Sequence, residues 1–185
     1  MSTSQIDKLA AELEIPEGVT VTYNRPMITV QGPLGKTWKS FKKIPVTLEV
    51  TEGKILFKAQ GTRDKSRAIM NTSRSLIRNL CEGVVDGYTI KMKIVFSHFP
   101  ITVKVEGKTV LIENFQGERA PRKTKIWGET KVTPKGDDVI ITGHVLTDVS
   151  QTAAEIENGS RVKNKDHRVF LDGVYKFENK KGIEN

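Results

Sequence analysis

Cysteine is almost absent from this chain. The one thiol in 185 residues, Cys81, excludes an internal disulfide and any multi-cysteine zinc site. It lies in an apolar helical pattern, which reads as a buried, inert thiol, and its isolation fits a reducing compartment. Long apolar runs are missing too: none approaches the ~18 residues that a membrane-crossing helix needs. Met1 to Leu13 has neither a basic start nor a long apolar stretch, so no secretion signal is expected there. The three histidines, His98, His144 and His167, stand far apart without HExxH spacing, so neither a metal nor another cofactor is expected. Acid is short of base. With 22 Asp and Glu against 30 Lys and Arg, the net charge is +8 and the pI about 9.5. That surplus favours polyanion partners, nucleic acid before an anionic membrane surface.

What is present is the composition of a folded, soluble chain, 37% hydrophobic and 28% charged, rather than a disordered one. Ile6, Leu9, Ala10 and Leu13 recur at helical spacing behind Ser4, so Ser4 to Leu13 is expected to be a short helix ended by Pro16 and Gly18. Alternation then takes over. Val19 to Tyr23 and Met27 to Val30 read as strands, and Gly32-Pro33-Leu34-Gly35 as a turn. Lys36, Lys39, Lys42 and Lys43 follow with no acid among them. Val46–Val50 and Ile55–Ala59 have the composition of a hairpin. A helix is expected from Asp64 to about Leu80, with Gly83 as a left-handed stop. Tyr88 to Phe96 alternates again.

The pattern then returns. Ile101 follows Val19, Val110 follows Ile28 and Gly117 follows Gly35, each pair 82 residues apart. Val139 follows Ile55 and Asp148 follows Asp64 at 84, and Asp172 follows Asp86 at 86. Offsets that drift by so little indicate a tandem duplication. The expected fold is therefore α+β. It has two tandem repeats, residues 1–87 and 88–185, each a mostly antiparallel sheet packed around a single helix, with the short N-terminal helix added to the first. The copies differ in charge. The first helix region holds Arg63, Lys65, Arg67, Arg74 and Arg78 against Asp64, whereas the second holds Asp148, Glu155 and Glu157 and no base.

Three constellations invite a chemical reading. Gly35-Lys36-Thr37 ends like a phosphate-binding loop, but Val30 stands where the leading glycine belongs and no helix opens at Lys36, so a tight turn is the better reading. No Gly-x-Ser-x-Gly elbow occurs, and no enzyme activity is expected. Arg119, Arg122, Lys123 and Lys125 surround Pro121 and precede Trp127. Arginine can grip phosphate bidentately and an indole can stack on a base, although Trp127 reads better as a core residue. The stretch Asn158 to Tyr175 places Arg161, Lys163, Lys165, His167 and Arg168 within eight residues, against one acid there, Asp166, and runs into Phe170 and Tyr175. It is either a phosphate-facing loop or a solvated charged one.

Gln151-Thr152-Ala153-Ala154-Glu155-Ile156, followed by Arg168-Val169-Phe170-Leu171-Asp172-Gly173-Val174-Tyr175, closely resembles a ribosomal protein family. It is the sixth protein of the large subunit in its archaeal and eukaryotic form, numbered nine in the older eukaryotic scheme. Val30 to Gly35 and the helix Arg67 to Leu80, with Asn71-Thr72, are similar to the family's first repeat. The Tyr-Lys-Gly-Lys-Gly type of ending found in the bacterial form is absent, which points to an archaeal-type source. The resemblance implies a structural constituent of the cytoplasmic ribosome that binds large-subunit ribosomal RNA beside the sarcin–ricin loop. It also implies neighbouring proteins near the stalk base, and neither a membrane nor a small-molecule substrate. By position, Arg119, Arg122, Lys123 and Lys125 match the family's basic loop. Arg161, Lys163, Lys165, His167 and Arg168 match its basic C-terminal segment. Charge reversal at Arg122 and Arg168 is expected to lower incorporation into large subunits with the fold intact. The alternatives are a nucleotide-dependent enzyme, which would bind a nucleoside triphosphate, and a free-standing nucleic-acid binder, which would not sediment with large subunits.

Overall fold

Alternating apolar residues become strands and 3.6-residue periods become helices over most of the chain, as a computed structural model shows. It describes residues 9–51, 53–59 and 64–184. The chain divides into two compact units, 1–85 and 86–185.

In the first unit, β1 is Leu9–Glu14, β2 Thr20–Asn24, β3 Met27–Gly32, β4 Gly35–Ser40, β5 Val46–Thr51, β6 Lys54–Ala59 and α1 Asp64–Val85. They form two antiparallel sheets, ordered β2-β3-β4 and β1-β6-β5. One face of α1 buries Met70, Ile77, Leu80, Cys81 and Val84 in a core with Ile28, Val30, Leu48, Ile55 and Phe57. Each such side chain, fully buried, stabilises the fold by roughly 1.5–3 kcal/mol. Burial also pushes the Cys81 thiol up to about 11, with Glu82 adding to the shift, so the thiolate is scarce at neutral pH.

Two expectations fail here. Leu9 to Leu13 is not helical but belongs to β1, which pairs antiparallel with β6 from Leu9↔Ala59 to Glu14↔Lys54. Its Ala11 and Leu13 alternate toward the core, and β6 supplies the hydrogen bonds that a helix of this length, marginal alone, would have to supply itself. Ser4 to Lys8 lie outside the described residues. Nor does Gly83 stop α1. It is buried within the helix, because Val84 continues the apolar face, and the left-handed residue is Gly87, at φ +76°.

The Gly32–Gly35 turn is a hairpin tip pressed onto the end of α1. Leu34 N–H donates to the Val84 carbonyl at 2.9 Å. A Cβ on Gly32 would stand 2.6 Å from Val84 Cγ2, so that position has no room for a side chain. Lys36 and Thr37 continue into β4, with Thr37 buried, and no helix starts there. The segment is a β-turn, not a phosphate loop.

In the second unit, β7 is Tyr88–Val95, β8 Thr102–Glu106, β9 Thr109–Glu113, β10 Arg122–Lys125, β11 Lys131–Lys135, β12 Asp138–Gly143, α2 Leu146–Gly159 and β13 Gly173–Lys181. A 3-10 turn, Phe115–Gly117, precedes β10. The sheets are β10-β9-β8 and β11-β12-β7-β13, again antiparallel. Val149, Ala153 and Ile156 of α2 enter a core with Ile90, Met92, Ile112, Phe115, Ile141, Val162 and Val174. β13 takes an edge, and its register slips between Lys176 and Glu178. Among the described residues no helix is long and apolar enough to cross a membrane, and no cluster of His, Cys, Asp and Glu could hold a metal.

Candidate nucleic-acid interface

The loop entering β10, β10 itself and the segment joining α2 to β13 carry the basic residues that match the family's basic loop and C-terminal segment, and packing shapes them. On β10, Thr124 is buried while Lys123 and Lys125 are exposed, as a strand's period of two requires. α2 packs across β10. A Cβ on Gly159 would lie 2.3 Å from Thr124 Cγ2, so glycine is what lets the helix end come this close.

The segment leaving that helix end is pinned at both ends. Ser160, buried, accepts a hydrogen bond from Val174 N–H at 2.9 Å and donates to the Glu157 carbonyl at 3.1 Å. The buried Asp172 accepts from Ser97 N–H at 3.1 Å, and Val162 plugs into the core. Between these anchors Asn164 takes a left-handed turn at φ +59°. The Asp166 carbonyl then accepts the amides of Val169 and Phe170, at 3.1 and 2.9 Å.

Arg122 joins the two elements. Its Nε and Nη2 donate to Glu118 Oε2 and Oε1 at 2.8 and 2.6 Å. Its Nη1 donates to the Gly159 and Arg161 carbonyls at 3.0 and 2.9 Å. Its Cζ sits 3.9 Å from the centre of the Phe115 ring. The guanidinium holds Glu118 below the ordinary carboxylate range, with a further small contribution from the charge of Lys163. Arg122 is thus committed within the protein, and reversing its charge would remove a structural clamp. That substitution is therefore expected to disturb the fold as well as the surface.

The remaining candidates point outward. Arg119, Lys123, Arg161 and Lys163 lie around the clamp and are exposed. Lys125 reaches the far end of β10, its Nζ 4.9 Å from the centre of the Trp127 ring. Lys165, His167 and Arg168 occupy the turn beyond Asn164, with Lys165 Nζ 4.6 Å from the centre of the Phe170 ring. Arg168 Nη2 pairs with Asp166 Oδ2 at 2.9 Å, which depresses the acid and raises the base, but Arg168 is 89% exposed. In water such a pair exchanges readily for a phosphate.

Trp127 is not in the core: its ring is 39% exposed, and its amide donates to Thr152 Oγ1 at 3.0 Å. Val169, Phe170, Leu171, Tyr175 and Phe177 are exposed as well. Bases interleaved with open aromatic faces suit phosphate and unpaired bases at once. The anchoring roles of Gly159, Ser160 and Asp172 went unread in the sequence. Asn158-Gly159 carries only a helix-end signal, and partners remote in the chain give their neighbours no pattern.

Comparison with known proteins identifies the family of the chain. Residues 99–173, which span β8 to the start of β13, match the model of the family described as ribosomal protein L6. The large ribosomal subunit protein uL6 of Methanosarcina mazei is 42% identical over 170 residues, 92% of this chain and 97% of that protein. That of Methanobrevibacter smithii is 44% identical over 164 residues, 89% and 92% of the two chains. That of Desulfurococcus amylolyticus is 40% identical over 178 residues, 95% and 97%. Identity at this level along almost the whole length of both partners means that the chain belongs to the ribosomal protein L6 family.

Proposed function

We propose that the second unit binds large-subunit ribosomal RNA, beside the sarcin–ricin loop and near the stalk base, through Arg119, Lys123, Lys125, Arg161, Lys163, Lys165, His167 and Arg168. As a member of its family the chain is a structural constituent of the large ribosomal subunit in the cytoplasm, not an enzyme. The observation that carries the RNA reading is the pinning of the basic segment at both ends, its start clamped to β10 by Arg122 and its end held through Ser160 and Asp172. Its bases are held in place before any ligand arrives, so less ordering entropy opposes binding. Arg122 has the role of positioning this surface rather than touching phosphate. Recognition is by backbone charge and RNA shape, with Trp127 and Phe170 available to unpaired bases. Proteins near the stalk base are its neighbours there.

The test is incorporation into large subunits. Lys123→Glu with Lys163→Glu, both on exposed side chains, should reduce co-sedimentation of a normally folded protein with large subunits. Wild-type incorporation of that double variant would sink the assignment.

The two units are further read as copies of one duplicated unit, with boundaries near 1–87 and 88–185. Each runs through a strand, a three-stranded meander, a hairpin and a helix, and the second adds β13. If the second copy is autonomous, residues 88–185 expressed alone will give a cooperative unfolding transition.

A further inference from the structure

The lysine run from Lys36 to Lys43 plays no part in the second unit's surface. Lys36 lies on the first unit's β2-β3-β4 sheet and Lys42 and Lys43 in the turn after it; one face of that sheet is covered by α1 and buries Ile28, Val30 and Thr37. By the strand period, the opposite face presents Thr20, Thr22 and Asn24 from β2, Met27, Thr29 and Gln31 from β3, and Lys36, Trp38 and Ser40 from β4. Trp38 is 62% exposed and stands across from Thr29, which stands across from Thr22. An indole left this open on a sheet face forgoes the burial that usually retains tryptophan in a fold.

Charge decides what could cover it. None of those nine positions is acidic, and Lys36 has no ion pair among the described residues. One end of the face is bordered by further cations. Phe41 N–H donates to the Pro26 carbonyl at 2.8 Å, which ties the exposed Lys42-Lys43 turn to the turn carrying Arg25. A stacking ring, hydroxyls and amides on a sheet face, and cations at both ends are the components of a platform for single-stranded nucleic acid.

We propose that this face binds an unpaired RNA segment, one base stacking on Trp38 while Lys36 and the Lys42-Lys43 turn meet its phosphates. The site is separate from the second unit's surface and does not depend on it. In the full chain carrying Trp127→Phe, Trp38 is the sole tryptophan. A single-stranded RNA of about ten nucleotides should quench its fluorescence, and should do so equally with Lys123→Glu and Lys163→Glu added. With the same charge-reversed variant, filter binding of the labelled RNA should show Trp38→Ala weakening binding about tenfold and Trp38→Phe restoring most of it. Absence of quenching, or equal affinity of the alanine variant, would overturn the proposal. In purified large subunits, a photoreactive side chain at Thr29 should crosslink to RNA. Adducts with protein alone would mean that the face docks a neighbouring protein instead, and the proposal would fail.

Discussion

Glu118 and Arg122 face each other through two parallel hydrogen bonds, four residues apart, while the far side of the same guanidinium holds the carbonyls of Gly159 and Arg161. One side chain thus closes the basic segment onto β10. Arg122→Ala leaves two carbonyls and a carboxylate without their partner. It should lower stability by about 1–3 kcal/mol in urea unfolding. Arg122→Lys keeps the charge but not the fork, so it should recover little of the loss. If lysine restored full stability, charge and not geometry would be the operative feature.

The same pair sets a pH dependence. Its carboxyl lies below the ordinary value of 4.5, chiefly through the hydrogen bonds from Arg122. A depressed carboxyl contributes stability that is complete above its unfolded value and is lost as pH falls through the folded one. Hydrogen exchange at the Arg161 and Val162 amides should therefore be constant from neutral pH down to that range, after correction for intrinsic rates. It should rise below it, and Glu118→Gln should abolish the step.

Salt dependence separates contact from positioning. Neutralising an exposed base that meets a phosphate, Lys123→Gln or Lys163→Gln, should lower the slope of log affinity against log salt by about 0.7–0.9. A variant of Arg122 should weaken binding with the slope nearly unchanged. Filter binding to large-subunit RNA across a salt series distinguishes the two.

Close approach at the end of α2 gives a fourth test. Gly159→Ala drives a methyl into Thr124 Cγ2 and should cost about 1–3 kcal/mol of stability. Thr124→Ala removes that methyl. The double variant should recover part of the loss, which a thermodynamic cycle measures as coupling. Strict additivity would show that the helix end has shifted instead.

The strands and helices of both units were largely legible, because half-buried sheets and one-sided helices write their periods into the chain. Ser4 to Leu13 was misread for a definite reason. Ile6, Leu9, Ala10 and Leu13 satisfy the helical template, while Ala11 and Leu13 equally satisfy a strand. Local periodicity cannot choose between them in so short a run. The 82-residue offset could have: it sets β7, Tyr88–Val95, over Ile6–Leu13. At the interface, charge clusters marked the right segments. Sequence could not separate Arg122 from Lys123, since what divides them is a helix end reached through 37 residues of chain. Trp127 was read as core because tryptophan usually is. Beside it Gly128, with φ +60° and no side chain, lets the backbone pass close to Asp148, a contact remote in the chain.

β13 has a consequence for the protein before it reaches a ribosome. A nine-residue strand at a sheet edge offers a row of free amides and carbonyls to any other extended chain. Here the register slip at Lys176/Glu178 breaks that row, and Lys176, Lys180 and Lys181 line it with charge. Newly made copies awaiting assembly are thereby discouraged from adding strand to strand, even though Tyr175 and Phe177 lie open on the same element. The charge that lines this edge thereby opposes association of the unassembled protein with itself.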